Sequence, residues 1–588
     1  MGLSKIKEAN VLLKLMKRIS WKAIAGSILF IVIQVFSELN LPNMTSNIIN
    51  RGIATGDVQF IWRTGGVMLL LTLVTILAAI CGVYISARES QKVGMQLRSE
   101  IYTKVMSLSK DKIDEVGQAS LITRSTNDVE QIQFILMLML RMMMFAPIMG
   151  IGAAVLSYTL SPDLARIFFI SVPVLIVLLA VIMGSAVPIF RKMQEKTDRL
   201  NLIFREGLTG VRVIRAFNKS KYEEERFEVA NDDYMRNNVK AMTITSLLMP
   251  VLTLVLSGTN IAIILTGGEY IAIGSMPVGN LVAFINYSAM LLFSFMMLSM
   301  MLTMLPQAQV SAARINEVLE LESTIVDGTE RFAGNNIKDE DMQLRFENVT
   351  YQFPAAERPV LQGLDFEMKK GQTLAIIGGT GSGKSTVANL IMRFYDASQG
   401  AVYLNGKNLR NLTQHDVRER VSYVPQKANL FSGTIRSNML DGKENATDEE
   451  IWRALEIAQA KPFVEGLEDG LDHVVEQGGT NFSGGQRQRL CIARAIIKEP
   501  AVYVFDDSFS ALDFKTDAAL RKALLTEITD AIIVIVAQRI STVRDADLIV
   551  VLENGKVVGQ GTHNQLVAED NETYMEIMNS QFREGEGR

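Results

Sequence analysis

The chain has 588 residues, 48% of them hydrophobic and 21% charged, with 59 basic against 63 acidic side chains for a formal charge of −4. That balance lacks the basic excess of a nucleic-acid binder, and two cysteines, Cys81 and Cys491, are too few for a disulfide framework and suit a reducing compartment. Long uncharged runs crowd the first half and are missing from the second, which excludes a fully soluble enzyme.

A bilayer core takes about 20 apolar residues per helix. Six segments meet this: 21–42, 64–86, 132–160, 164–190, 241–268 and 277–305. Residues 1–20 read as an interfacial elbow, with the amphipathic stretch Ala9–Ile19 along the inner surface. Lys5, Lys7, Lys14, Lys17, Arg18 and Lys22, with the basic loops 87–131 and 191–240, belong inside; the brief links 161–163 and 269–276 belong outside. The first apolar run is too long for a cleaved signal peptide. About 20 residues ahead of it leave no room for a peptidase domain, which argues against a leader-cleaving peptide exporter. Structureless loops as long as the inner ones are rare, so they predict helices that run on past the membrane. Their tips fall near 111–118 and 212–221, where they could touch a following domain.

Inside the spans, Glu38 and Arg141 are charges that lipid disfavours. They either pair, line a pathway, or sit at a membrane edge. Twelve of the 30 methionines fall within 137–149 and 290–304, and such flexible side chains either pack the helices or line a surface that repacks around varied ligands. Phe134, Phe145, Phe284, Phe293 and Phe295 offer stacking surfaces in the same region.

Past the membrane region 21–310, residues 311–341 read as a linker. From Met342 strand-like runs (Leu374–Ile377, Val421–Val424, Ala501–Phe505, Ile532–Val536) alternate with helical stretches. This predicts an α/β domain over 342–580 with a largely parallel sheet, then a polar tail at 581–588. Gly378, Gly379, Thr380, Gly381, Ser382, Gly383, Lys384, Ser385 and Thr386 follow the first of these runs and open a helix, the context of a phosphate-binding P-loop. Glycines let the backbone wrap phosphates, and the helix start favours negative charge. Lys384 is suited to the β- and γ-phosphates and the Ser385 hydroxyl to Mg²⁺. The strand Ala501–Phe505 ends in Asp506 and Asp507. Asp506 is placed to hold Mg²⁺ through water and Asp507 to face the attacking water; the alternative is a strand merely capped by acids.

Asn481, Phe482, Ser483, Gly484, Gly485, Gln486 and Arg487 resemble the signature motif of ABC transporters, 20 residues ahead of Asp506. Gln426 in a Tyr-Val-Pro-Gln segment, the run Ser510–Asp513 and Phe353 resemble further pieces of that family, as do Glu206–Arg212 and Ser125–Asp128 at the expected tips. The resemblance implies a six-span α-helical transmembrane domain of exporter type fused to a cytoplasmic α/β P-loop nucleotide-binding domain. It implies ATP and Mg²⁺ as ligands, with Phe353 stacking on the base and Ser385, Gln426 and Asp506 around the metal; GTP stays open. It also implies two chains head to tail, so that Phe482–Gln486 act on the nucleotide bound by the partner.

Active ABC sites resemble one another in having Glu after the strand-terminal Asp and His in the following switch loop; here Asp507 and Gln538 stand instead. Asp is a methylene shorter, a misplacement that can lower a rate about 10²-fold, and Gln cannot carry a proton. The signature is intact. The pattern resembles the degenerate-site subunit of heterodimeric bacterial multidrug exporters in the cell membrane, with both termini cytoplasmic. The expected partners are a homologous half-transporter, membrane lipids and small amphipathic compounds such as drugs and dyes, and no nucleic acid. A lipid flippase and a nucleotide-gated sensor or channel are the alternatives, and a working homodimer stays open.

Overall fold

In a computed structural model of the chain, residues 14–332, 342–354 and 356–585 are described. Lys5, Lys7, the start of Ala9–Ile19, residues 333–341 of the expected linker and 586–588 of the expected tail lie outside them. The described residues form two compact units, one running to Ser107 and over Val116–Leu321, the other made of Leu108–Glu115 and the chain from Glu322 onward.

The first unit is helical: α1 (Trp21–Asn47), α2 (Val58–Ser107), α3 (Lys110–Val116, mostly in the second unit), α4 (Gln118–Thr123), α5 (Val129–Leu160), α6 (Pro162–Thr209), α7 (Val211–Ala216), α8 (Ser220–Ser246), α9 (Leu248–Ala272) and α10 (Val278–Glu320). Among the described residues six helical stretches are long and apolar enough to cross a membrane, as the hydropathy predicts. With 50 residues in α2 and 48 in α6, these helices reach over 70 Å, more than twice a bilayer core. The chain turns at the short helices α3 and α7, beside the expected tips. Gly117, at φ 82°, breaks the chain between α3 and α4. The turn before α6 is set by Ser161, whose hydroxyl accepts the Leu164 N–H ahead of Pro162.

Leu69, Leu70, Leu73, Leu77 and Ile80 line an exposed apolar stripe of α2, as on a lipid-facing helix. On the opposite side small residues let helices close: the Ser27 and Ser86 hydroxyls meet at 3.2 Å, and a Cβ on Gly94 would run into Gln133. Ile31, Val35 and Leu39 of α1 pack in one cluster with Met149, Phe168, Phe284 and Leu291, where the Phe168 and Phe284 rings stack at 5.2 Å. Met139, Met149 and Met301 are buried whereas Met143 is exposed, so part of the methionine content is packing.

Glu38 and Arg141 do not pair. Ser27 of α1 bonds the Leu140 carbonyl of α5, and farther along Leu39 lies against Gly152. Arg141 is therefore level with the Ser27 turn, and Glu38 lies about 16 Å farther along the helices at 1.5 Å per residue.

Among the described residues the second unit holds three sheets, the smallest a two-stranded antiparallel pair of β7 (Gly433–Thr434) and β8 (Val474–Val475). Strands β1 (Gln343–Tyr351), β2 (Leu361–Lys369), β4 (Gln399–Leu404) and β5 (Lys407–Asn408) form an antiparallel sheet in the order β2-β1-β4-β5, beside the largely parallel one expected. The largest sheet runs β12-β11-β3-β10-β9-β6, with β3 (Thr373–Gly378), β6 (Val421–Val424), β9 (Val502–Asp506), β10 (Ile532–Val536), β11 (Leu548–Glu553) and β12 (Lys556–Gly561). Its pairs are parallel from β11 to β6, with β12 antiparallel. β3, β9 and β10 are buried along their whole length, the unbroken apolar pattern of strands covered on both faces.

Two boundaries differ from expectation. Helix α10 runs to Glu320, so the start of the expected linker continues the last span. Its later part is docked: Arg393, almost fully buried, donates to the carbonyls of Val326 (2.8 Å), Arg410 (3.0 Å) and Leu412, and Glu330 bridges to Leu412. The expected tail begins inside a helix, Glu572–Gly585, that continues from the domain.

Candidate nucleotide site

β3 ends at Gly378, and helix α11 (Lys384–Ile391) begins six residues later. Between them Gly381 and Gly383 hold φ of 82° and 98°, a region that side chains other than glycine's strain to enter. At Gly383 the space is also closed, since a Cβ would approach the Val360 carbonyl to 3.0 Å.

The loop is curled around its own lysine. Lys384 Nζ donates to the carbonyls of Gly378 (2.9 Å) and Gly379 (2.6 Å), and burial pushes its ammonium below the usual lysine range against the pull of Asp507 and Asp506. Ser382 is buried, and its hydroxyl has no hydrogen-bond partner. A cation under a glycine loop and an unsatisfied hydroxyl within it fit a phosphate group.

Parallel pairing assembles the rest. β9 lies between β6 and β10, with Val424 opposite Phe505 and Val536 opposite Asp506, so the residues after all three strands emerge at one edge. Asp506 Oδ1 accepts from the Ser385 hydroxyl at 2.9 Å and Oδ2 from the Tyr423 hydroxyl at 3.1 Å. Burial pushes its carboxyl above the usual range, and these two bonds pull it back only in part. Asp507 follows at φ 49°, its N–H bonded to the Val536 carbonyl at 2.9 Å. That strained turn aims its carboxylate at two amides: Oδ2 accepts from Gln426 Nε2 at 3.0 Å and from Gln538 Nε2 at 2.9 Å. The adjoining oxygens of Ser385 and Asp506 are hard donors of the kind Mg²⁺ takes, whereas Gln426, the third expected metal ligand, bonds Asp507.

The remaining predicted residues lie in separate clusters. Phe353, partly buried, meets Tyr351 and Tyr395 edge-on at 5.0 and 5.5 Å. Ser483 caps α12 (Gly484–Ile496): its Oγ accepts the Gln486 N–H at 3.2 Å, and its own N–H donates to Gln486 Oε1 at 2.9 Å. Phe482 is buried against Phe463 and His473, whereas a Cβ on Gly484 would meet open space. Among the described residues no hydrogen bond joins Phe482–Gln486 to Gly378–Thr386. Tyr423 is the site residue that sequence reasoning missed. It reads as an apolar strand position, and only the β6–β9 register turns its hydroxyl to Asp506.

Residues 111–115 of the first expected tip belong to this unit. The Thr324 N–H and hydroxyl both bond Ser109 Oγ, at 3.1 and 2.9 Å, and that hydroxyl also reaches Asp111 at 2.8 Å.

Residues 24–295 match the family model of the ABC transporter transmembrane region and residues 361–510 that described as ABC transporter. An uncharacterized ABC transporter ATP-binding protein of Mycobacterium tuberculosis is 40% identical over 94% of both chains. The uncharacterized ABC transporter ATP-binding protein YfiB of Bacillus subtilis is 35% identical over 96% of this chain and 98% of its own. An ATP-dependent lipid A-core flippase of Pasteurella multocida is 29% identical over 92% of each chain. Among solved structures, a bacterial Atm1-family ABC exporter with ATP bound shares the fold with a TM-score of 0.78 at 24% identity, over 95% of this chain and 98% of that one.

Proposed function

This chain belongs to the ABC transporter family, and from that premise we propose that it is the degenerate-site subunit of a heterodimeric exporter of amphipathic compounds. The observation that carries this reading is the pair of amide bonds on Asp507 Oδ2. A base for the attacking water has to accept a proton, and a switch-loop residue at position 538 has to pass one or stabilise the charge that develops. Here two amide N–H groups occupy one oxygen of the short carboxylate, and Gln538 offers no titratable proton. Lys384 and the glycine loop bind phosphate, Ser385 and Asp506 orient the metal, and Phe353 supports the base. Bound Mg²⁺ would neutralise phosphate charge. The intact cap at Ser483 leaves α12 able to present its N-terminus to a partner's nucleotide. Closure of two nucleotide domains on ATP would then drive alternating access across the six spans.

A second reading, lipid translocation, draws support from the resemblance to a lipid A-core flippase over most of both chains. It shares the nucleotide site and differs only in cargo.

The test is ATP hydrolysis by this chain alone and then with a homologous partner that carries Glu and His. Low activity alone, restored by the partner and abolished when the partner's Glu is replaced, is the expected result. Vigorous hydrolysis by the chain alone, lost in Lys384→Ala, would replace this reading with a working homodimer. Stimulation by lipid and by no drug or dye would assign the cargo to lipid.

A further inference from the structure

Helix α1 carries a carboxylate where a membrane span least favours one. Glu38 falls on the stripe Ile31, Val35, Glu38, Pro42 and Ser46, spaced by three or four residues. Of these, Ile31, Val35, Pro42 and Ser46 are buried within the unit, so this face turns inward and away from the exposed Leu29, Val32 and Phe36. The Glu38 Oε2 atom is itself sealed from solvent and has no hydrogen-bond partner. Among the described residues no Lys, Arg or His pairs with it, and Arg141 is level with a different turn of the bundle.

A second unsatisfied oxygen lies on the neighbouring helix. The Tyr287 hydroxyl of α10 donates to the Leu39 carbonyl at 2.8 Å and pins the two helices together. Glu38 directly precedes Leu39, and Ser288 directly follows Tyr287. The Ser288 hydroxyl is fully buried and likewise has no partner. Buried polar groups are nearly always bonded, and an ionisable side chain inside a span, turned to the protein interior, marks a ligand pathway unless something else pairs it.

We propose that Glu38 recognises the protonated nitrogen of an amphipathic amine within the membrane unit. The inference rests on the exporter reading and adds the charge class of its cargo. An ammonium N–H supplies what Glu38 Oε2 lacks. A neutral compound of the same shape leaves the carboxylate without a partner.

The experiment compares monodansylcadaverine, a fluorescent primary amine, with its N-acetyl derivative, which keeps the dansyl body and loses the charge. Binding to the full-length chain in lipid nanodiscs is read by dansyl fluorescence. The wild-type chain should bind the amine about tenfold or more tightly than the acetylated probe, the scale of one charge-assisted hydrogen bond. Glu38→Gln, nearly isosteric, should erase that difference by weakening only the amine, and Glu38→Asp should keep most of it. Equal amine binding by wild type and Glu38→Gln, with the acetylated probe also bound, would overturn the role of Glu38 and leave the exporter reading standing. If neither probe binds the wild-type chain, the amphipathic-cargo reading fails first and this inference with it.

Discussion

The Gln538 side-chain amide donates to Asp507 Oδ2 at 2.9 Å. The bond joins the two positions at which this chain departs from the Glu and His of the ABC sites it resembles. The Gln426 amide, at 3.0 Å from the same oxygen, completes the arrangement.

Restoring the chemistry should therefore need both positions. Asp507→Glu together with Gln538→His is expected to raise ATP hydrolysis by this chain's own site by about 10²-fold, the scale of a carboxylate misplaced by an ångström. Phosphate release at saturating Mg–ATP checks it, with nucleotide affinity unchanged. An unchanged rate would mean that neither position limits turnover.

Asp506 should make the nucleotide-free protein sensitive to pH. Burial raises its carboxyl above the usual range, so the folded state keeps a proton to higher pH than the unfolded chain does. Stability from this group is thus present below about pH 4 and falls as pH rises through the folded value. Asp506→Asn should remove that slope and raise the unfolding temperature at pH 7.5 by about 2–4 °C for each kcal/mol relieved. It should also shrink the stabilisation that Mg–ATP gives the wild type. Thermal melts at pH 5 and 7.5, with and without Mg–ATP, measure both effects.

Ser483→Ala should weaken the start of α12 by about 1 kcal/mol, the usual loss for a missing cap, while Ser483→Thr keeps it. In a complex with a homologous partner, the alanine variant should lower hydrolysis and leave nucleotide binding at Lys384 unaltered. A fluorescent-nucleotide titration beside a turnover assay separates the two.

Outside the nucleotide site, Asp128 is buried with Oδ1 accepting from the Ser311 hydroxyl at 2.7 Å and Oδ2 without a partner. Ser311→Ala strips the one bond and should destabilise the helical unit by about 1–3 kcal/mol. Removing both polar groups, with Asp128→Leu added, should recover part of that loss. Denaturation of the reconstituted full chain compares the two.

The spans and the glycine loop after Leu374–Ile377 were legible in the sequence from short-range physics: apolar length against bilayer thickness, and glycines that free a backbone. The signature-like run at Asn481–Arg487 and the departures at Asp507 and Gln538 were legible only through the resemblance to ABC transporters. What joins distant segments was not legible. No local pattern turns Tyr423 toward Asp506 or brings Gln426 and Gln538 to one oxygen of Asp507, because both depend on β6, β9 and β10 pairing in one parallel register. In the same way sequence left Glu38 free to pair with Arg141. Only the helix register, fixed by Ser27 against Leu140 and Leu39 against Gly152, separates the two charges. Local chemistry is written residue by residue, whereas which residues meet is decided by how strands and helices slide past one another as the core closes.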